Sequence, residues 1–189
     1  MKNTVTIIES GMSFGEFDPE RIFHIEDSNL YRKLGTSIRT TEFLYLDYRN
    51  YLQLVEAKTS CPNVNNREEN REKKEKYEQY YTEITEKFMD TLNILASFLL
   101  GRIETREYID ESSGKRILNL TSLKGIRIRF VLVIKNAEES WLTGVRTELE
   151  RRLLSTRKIW DADVMVLNED FALRKNLIAV NQNKGEKNT

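Results

Sequence analysis

One cysteine, one histidine and two prolines occur among the 189 residues, and each scarcity removes a class of chemistry. A lone Cys61 excludes an internal disulfide framework and a cysteine-built zinc site. A lone His24 leaves no material for a histidine-rich zinc centre and argues against a histidine-centred triad. Any bound metal would therefore take mostly carboxylate ligands, which suits the hard ions Mg²⁺ or Mn²⁺. Basic residues are not in excess either: Lys plus Arg and Asp plus Glu number 30 each, so the formal net charge is zero. A nucleic-acid contact would have to come from a local patch, not from an overall positive field. The longest apolar stretch, "ILASFLLG", is too short to span a bilayer. The opening "MKNTVTIIESGMSFGEF" has no apolar run of signal-peptide length, so the expected location is cytoplasmic, with no membrane partner. "SGMSFGEF" holds two glycines without the spacing of a phosphate loop or dinucleotide turn, which disfavours a nucleotide-binding enzyme.

What is present suits a folded domain. Hydrophobic residues make up 39% and charged residues 32%, enough for a core with a well-solvated exterior. We expect one α/β domain over residues 1–180 and a disordered tail, "NQNKGEKNT", over 181–189. Residues 4–8 suit an edge strand. "FDPERIFHIEDSNLYRKLG" suits one helix or two, with Asp18 as N-cap, Pro19 at the first helical position, Ser28 as a restart and Gly35 as the stop. A loop, "SCPNVNNREEN", precedes a long helix from about residue 68 to 100. Its second half places Tyr77, Tyr81, Ile84, Phe88, Leu92, Leu95 and Leu99 on one face. A polar stretch over 102–125 suits a hairpin insertion. "IRIRFVLVIKN" is a strand buried on both faces, "AEESWLTGVRTELERRLLS" an amphipathic helix, "DVMVLN" a buried strand and "EDFALRKN" a short last helix. Helices alternating with apolar strands give a central mixed β-sheet flanked by helices.

The chemistry concentrates in "TTEFLYLDYRNYLQLVEAKTS", residues 40–60. From Ser37 to Lys58 the pattern has period two, with "DYRNY" at the turn. If 46 pairs with 52, then 44 pairs with 54 and 42 with 56. Alternation then puts Leu46, Leu52, Leu44, Leu54, Glu42, Glu56 and Lys58 on one face of the sheet. Two carboxylates opposed in this way repel each other, the more so when part-buried. A divalent cation between them reverses the sign.

Glu56-Ala57-Lys58 at a strand end, with Glu42 on the preceding strand, resembles the motif of the PD-(D/E)XK nuclease superfamily. Glu56 and Lys58 match the (D/E)-x-K, and Glu42 stands at the position of the family's aspartate. The order of elements over residues 18–135, including the long helix after the E-x-K strand, is similar to the family's core. The resemblance implies a restriction-endonuclease-like fold and a metal-dependent nuclease acting on DNA or RNA. Glu42 and Glu56 would be the Mg²⁺ or Mn²⁺ ligands, Lys58 would assist an attacking water, and a further glutamate, Glu20 or Glu26, would join them. No "PD" dipeptide is present, and glutamate in place of aspartate would shift the metal.

A second reading of the same residues is an ion-pair cluster in which Lys58 bridges the two glutamates, on a non-catalytic interaction or scaffold subunit of the same fold. E-x-K is a common tripeptide; Glu72-Lys73-Lys74 repeats it on the charged part of the long helix. Strand context and the partner at position 42 set Glu56 and Lys58 apart. For nucleic-acid backbones the candidate patch is Arg146, Arg151, Arg152, Arg157 and Lys158, diluted by Glu148 and Glu150. Arg127 and Arg129 alternate along a strand and suit either a cleft or a solvated edge. His24 suits a packed helix face, and Cys61, in a loop with no base nearby, has no nucleophilic role. A partner protein or self-association is compatible with the charged half of the long helix.

Overall fold

The computed structural model describes residues 3–35, 37–62, 70–104 and 113–179. Its architecture is α/β. Strands β3 (Ile22–Phe23), β4 (Phe43–Leu46), β5 (Tyr51–Lys58), β6 (Arg127–Ile134) and β7 (Asp163–Asn168) form a mixed sheet in that order. The pairs β3–β4 and β4–β5 are antiparallel; β5–β6 and β6–β7 are parallel. Parallel neighbours need crossovers. The long helix α2 (Arg71–Leu99) lies on the connection from β5 to β6. Helices α4 (Glu139–Arg152) and α5 (Leu154–Trp160) connect β6 to β7, and α6 (Glu169–Arg174) follows β7.

Each sheet face has its own core. On one face Leu44, Leu54, Phe130 and Leu132 meet Tyr81, Phe88 and Leu92 of α2 and Leu149 of α4, with the Phe88 and Phe130 rings 5.1 Å apart. The stripe expected from helical spacing is the buried one, from Tyr77 to Leu95, whereas Leu99 is only partly covered. On the other face Phe43, Val55, Ala57, Val131 and Val133 pack against Phe14 and Phe17 and against Ala172 of α6. Fully burying an aliphatic or aromatic side chain is worth roughly 1.5–3 kcal/mol, so both layers hold the sheet.

Phe14 and Phe17 belong to a hairpin that the sequence shows only in part. Strand β1 (Val5–Glu9) matches the expected edge strand, and β2 (Met12–Phe17) is added to it. The turn between them needs positive φ at both residues, 49° at Ser10 and 71° at Gly11. Such a two-residue turn has the twist that antiparallel strands favour. The Ser10 hydroxyl donates to the Ala57 carbonyl at 3.0 Å, fixing the turn to the end of β5.

Of the one helix or two expected over 17–35, the second, restarting at Ser28, is present and the first is corrected. Asp18 does accept the Glu20 N–H at 3.1 Å, but Pro19–Arg21 is a single 3₁₀ turn leading into β3. Helix α1 (Asn29–Leu34) starts only at the Ser28 cap and stops at Gly35. Ile22 and Phe23 are both buried and pair with Tyr45 and Leu44, so sheet closure overrides helix propensity there. In the polar stretch over 102–125, the short helix α3 (Lys115–Leu118) lies in its described part, and residues 105–112 lie outside the description. The tail expected at 181–189 also lies outside the described residues. Among the described residues, no helix is long and apolar enough to cross a membrane.

A candidate metal site between strand β5 and helix α2

The register expected for the hairpin is the one found: Leu46 lies opposite Leu52, Leu44 opposite Leu54 and Phe43 opposite Val55. One step further, Glu42 stands beyond the last paired residue of β4 while Glu56 continues β5. Asp47 shapes the turn by accepting the N–H groups of Arg49 and Tyr51 at 2.8 and 2.9 Å. Glu42 and Glu56 are buried, Glu56 completely.

The segment that carries Glu42 is fastened to α2, not to a strand. The Arg39 N–H donates to Asp90 at 3.0 Å, the Thr41 N–H donates to the Thr91 hydroxyl at 2.9 Å, and the Arg39 guanidinium pairs with Glu86 at 3.0 Å. Periodicity suggests strand from Ser37 onward; strand pairing begins only at Phe43, and the Arg39 and Thr41 N–H groups bond to the helix instead.

The result is a buried network of carboxylates and ammonium groups. Lys58 Nζ donates to Glu83 Oε1 of α2 at 2.6 Å and lies 3.2 Å from Glu56 Oε1. Lys87, one helical turn beyond Glu83, donates to Glu56 Oε1 at 3.0 Å. The same ammonium stands 3.6 Å from Glu42 and 3.7 Å from Glu26. Glu26 thus joins the group through the connector after β3, and its backbone N–H bonds the Glu42 carbonyl. Glu20 does not join; it is half-exposed and pairs with Arg116 at 3.1 Å.

Neither Glu83 nor Lys87 was among the residues expected here. Their signal was weak but present: Tyr80, Glu83, Lys87 and Thr91 recur at helical spacing beside the apolar stripe. Only the position of β5 shows that this seam faces the sheet.

Protonation follows from burial. Burial pushes the Glu42 carboxyl up to about 9, helped by its hydrogen bond to Glu26 and the charge of Glu56, with Lys87 opposing. Glu56 is also raised by burial, against the pull of Lys87 and Lys58. Burial would lower both lysines, but their carboxylate partners outweigh it and raise both. Lys58 therefore holds its proton, contrary to the lowered basicity that would suit a general base. Its available roles are those of a cation.

Two observations bear on whether a hard metal ion could be held here. Glu26, Glu42 and Glu56 supply oxygen donors from three separate segments around one cationic group. Among the described residues Glu56 Oε2 is buried without a hydrogen-bond partner, an orphan that costs free energy unless something else binds it. Among the described residues, no three His, Cys, Asp or Glu side chains form a ready-made metal cage. The carboxylates are gathered instead around the Lys87 ammonium.

The remaining candidates lie elsewhere. Arg146 pairs with Glu150 at 3.0 Å, Arg151 with Glu148 at 2.6 Å, and Arg152 with both Glu148 and Glu78 at 2.6 Å. Arg157 is 3.7 Å from Glu150, and Lys158 is exposed. All four of these guanidinium groups are engaged by carboxylates. Arg127 and Arg129 sit at the start of β6, beside Tyr51 and away from the strand end that bears Lys58. Arg129 pairs with Asp163 at 3.2 Å. His24 is not on a helix; it follows β3 and lies 3.2 Å from Glu9. Burial pushes the Cys61 thiol up to about 11, which keeps it unreactive near neutrality.

No protein-family model, curated protein or solved structure matches this chain.

Proposed function

We propose that this chain is a metal-dependent nuclease of the PD-(D/E)XK type, hydrolysing phosphodiester bonds in DNA or RNA. The observation that carries the reading is the approach of Glu42 and Glu56 to one buried ammonium, that of Lys87, with Lys58 two residues beyond Glu56 on the same strand. A mixed sheet flanked by helices, with the long helix α2 after the strand that bears Glu56 and Lys58, supports the reading.

Glu42 and Glu56 would hold Mg²⁺ or Mn²⁺, with Glu26 beside them. A bound divalent ion supplies an activated water and stabilises charge developing on the phosphate. As a ligand Glu42 gives up its proton, since metal binding competes with protonation. Lys58, fixed between Glu56 and Glu83, presents a permanent positive charge that orients the attacking water or neutralises the phosphate. In such a reaction one P–O bond would form to the water oxygen as the bond to the leaving oxygen breaks, the water giving its proton to solvent and the leaving oxygen taking one from solvent. Nucleic-acid contact by Arg146, Arg151, Arg152, Arg157 and Lys158 would exchange the present carboxylate partners for phosphates.

The test is cleavage of DNA and RNA by the purified chain with Mg²⁺ or Mn²⁺, compared with Lys58→Ala. The nuclease reading expects metal-dependent cleavage that Lys58→Ala abolishes while the fold survives. Equal cleavage by the two proteins rejects the assignment.

One observation favours a second reading, a non-catalytic interaction subunit on the same fold. Lys87 already compensates the carboxylates, and the candidate patch is internally paired. In that reading the network is structural and the charged first half of α2 is the docking surface. Glu56→Gln then leaves every binding activity of the chain intact.

A further inference from the structure

We propose that the outer edge of β7 is a docking site for an extended acidic segment of a partner protein, which joins the sheet as a sixth strand in the cleft between α4 and α6. The proposal does not depend on the nuclease reading.

Strand β7 ends the sheet order, so only one of its edges is paired. Its ladder to β6 runs unbroken from Asp163 to Asn168, and alternate residues of such a strand direct their N–H and C=O groups away from the paired side. Among the described residues, none of these outward groups at 163–167 has a hydrogen-bond partner. Lysine, proline or a bulge commonly guards a native edge; "DVMVLN" has none of them. The edge is instead recessed in a cleft of about 520 Å³, with Val164 to Leu167 as its floor. Leu142, Arg146 and Arg157 stand on one wall, and Phe171 and Lys175 on the other. Phe171 is partly buried against both cores, which sets its ring where the two faces of the sheet meet.

Shape and charge select the occupant. Backbone groups at strand spacing are matched by another extended backbone. Because the walls stand out beyond β7, a second copy of this chain would bring its own α4 and α6 against them before the two edges reached pairing distance, about 4.8 Å. A lone strand carries no such walls. Arg129, Arg146, Arg157 and Lys175 line the cleft against Glu139 and Asp163. Arg129 is paired with Asp163, while Arg146 and Arg157 share the single carboxylate of Glu150. Lys175 is exposed, with no carboxylate partner among the described residues. Positive charge is thus left over on both walls, above an apolar floor. A strand that alternates apolar residues with Glu or Asp satisfies both. A nucleic-acid strand would meet the same cations but would set phosphates over Val164 and Val166 and leave the β7 backbone unpaired.

The experiment adds a capped six-residue peptide of alternating valine and glutamate to the ¹⁵N-labelled full chain. In the free chain the outward amides of 163–167 should exchange rapidly with solvent. With the peptide they should shift and exchange roughly tenfold more slowly or less, while the amides of β3, at the opposite edge, stay unmoved. Of two peptides N-methylated on alternate sets of residues, one should bind like the parent and the other should not, because only one set faces β7. Lys175→Glu, at an exposed position, should weaken binding at least about fivefold, the effect of one unit charge near 4 Å in water. Unmoved β7 amides at millimolar peptide overturn the proposal, as does equal behaviour of the two methylated peptides or unchanged affinity of Lys175→Glu. Slow exchange of the outward amides in the free chain also overturns it, with sedimentation telling whether a second copy or another part of the same chain covers the edge. A single-stranded oligonucleotide that moves these amides where the peptide does not assigns the cleft to nucleic acid and overturns it too.

Discussion

The Thr41 N–H donates to the Thr91 hydroxyl at 2.9 Å, both residues being buried, and this bond ties the segment bearing Glu42 to the helix bearing Lys87. Helix and strand are therefore positioned together, and the site depends on a contact outside it. Thr91→Val keeps the shape and removes the acceptor, leaving the Thr41 N–H unsatisfied. The expected cost is about 1–3 kcal/mol, read as a lowered denaturation midpoint with unchanged m-value. If wild-type stability persists, the strap is not what holds Glu42.

Lys87→Met leaves buried carboxylates without their main counter-charge. Breaking a buried pair by removing one partner costs roughly 3–5 kcal/mol, and thermal unfolding in a metal-free buffer measures it. Because a ligand that binds only the folded state stabilises it by mass action, Mn²⁺ should restore much of the lost stability in a concentration-dependent way. A variant that melts at the same temperature with and without Mn²⁺ contradicts the expectation.

Acid sensitivity has a separate source in α4. Hydrogen bonds from Arg151 hold the Glu148 carboxyl down at about 2, with Arg152 adding to the effect against the smaller cost of burial. A folded value below the ordinary carboxylate range means that the folded state binds this proton less readily than the unfolded chain. Its stabilising contribution is complete above about pH 4.5 and is lost as pH falls toward about 2. In Glu148→Gln, stability from pH 5 to pH 2 should fall less steeply than in wild type. Parallel curves for the two proteins would contradict the assignment.

Much of this was legible from the residue pattern, for identifiable reasons. The register of β4 and β5 follows from leucines at 44, 46, 52 and 54 around a turn held by Asp47. The parallel strands β6 and β7 carry the apolar runs 130–134 and 164–167, and the stripe of α2 has helical spacing. Residues 19–23 were misread because Asp18 and Pro19 carry true helix-start chemistry; the burial of Ile22 and Phe23 against β4 decides otherwise. Strand β2 lacks clean alternation, since Met12, Phe14, Gly15 and Phe17 are all buried.

In the cluster, strand alternation makes Glu56 and Lys58 legible, whereas Glu42 stands one residue before the paired part of β4. Glu83 and Lys87 are not legible, because a charged helix flank reads as solvated surface until a partner strand is known. Glu26 was one of two equal choices until the chain path after β3 brought it beside Glu42.

The nuclease account depends on Glu42 and Glu56 being ligands, not merely neighbours of lysine. Calorimetric titration of Mn²⁺ into wild type, Glu42→Gln and Glu56→Gln tests that most directly. The account predicts saturable binding by the wild type, abolished by Glu56→Gln and severely weakened by Glu42→Gln. Equal Mn²⁺ affinity in all three folded proteins would contradict it.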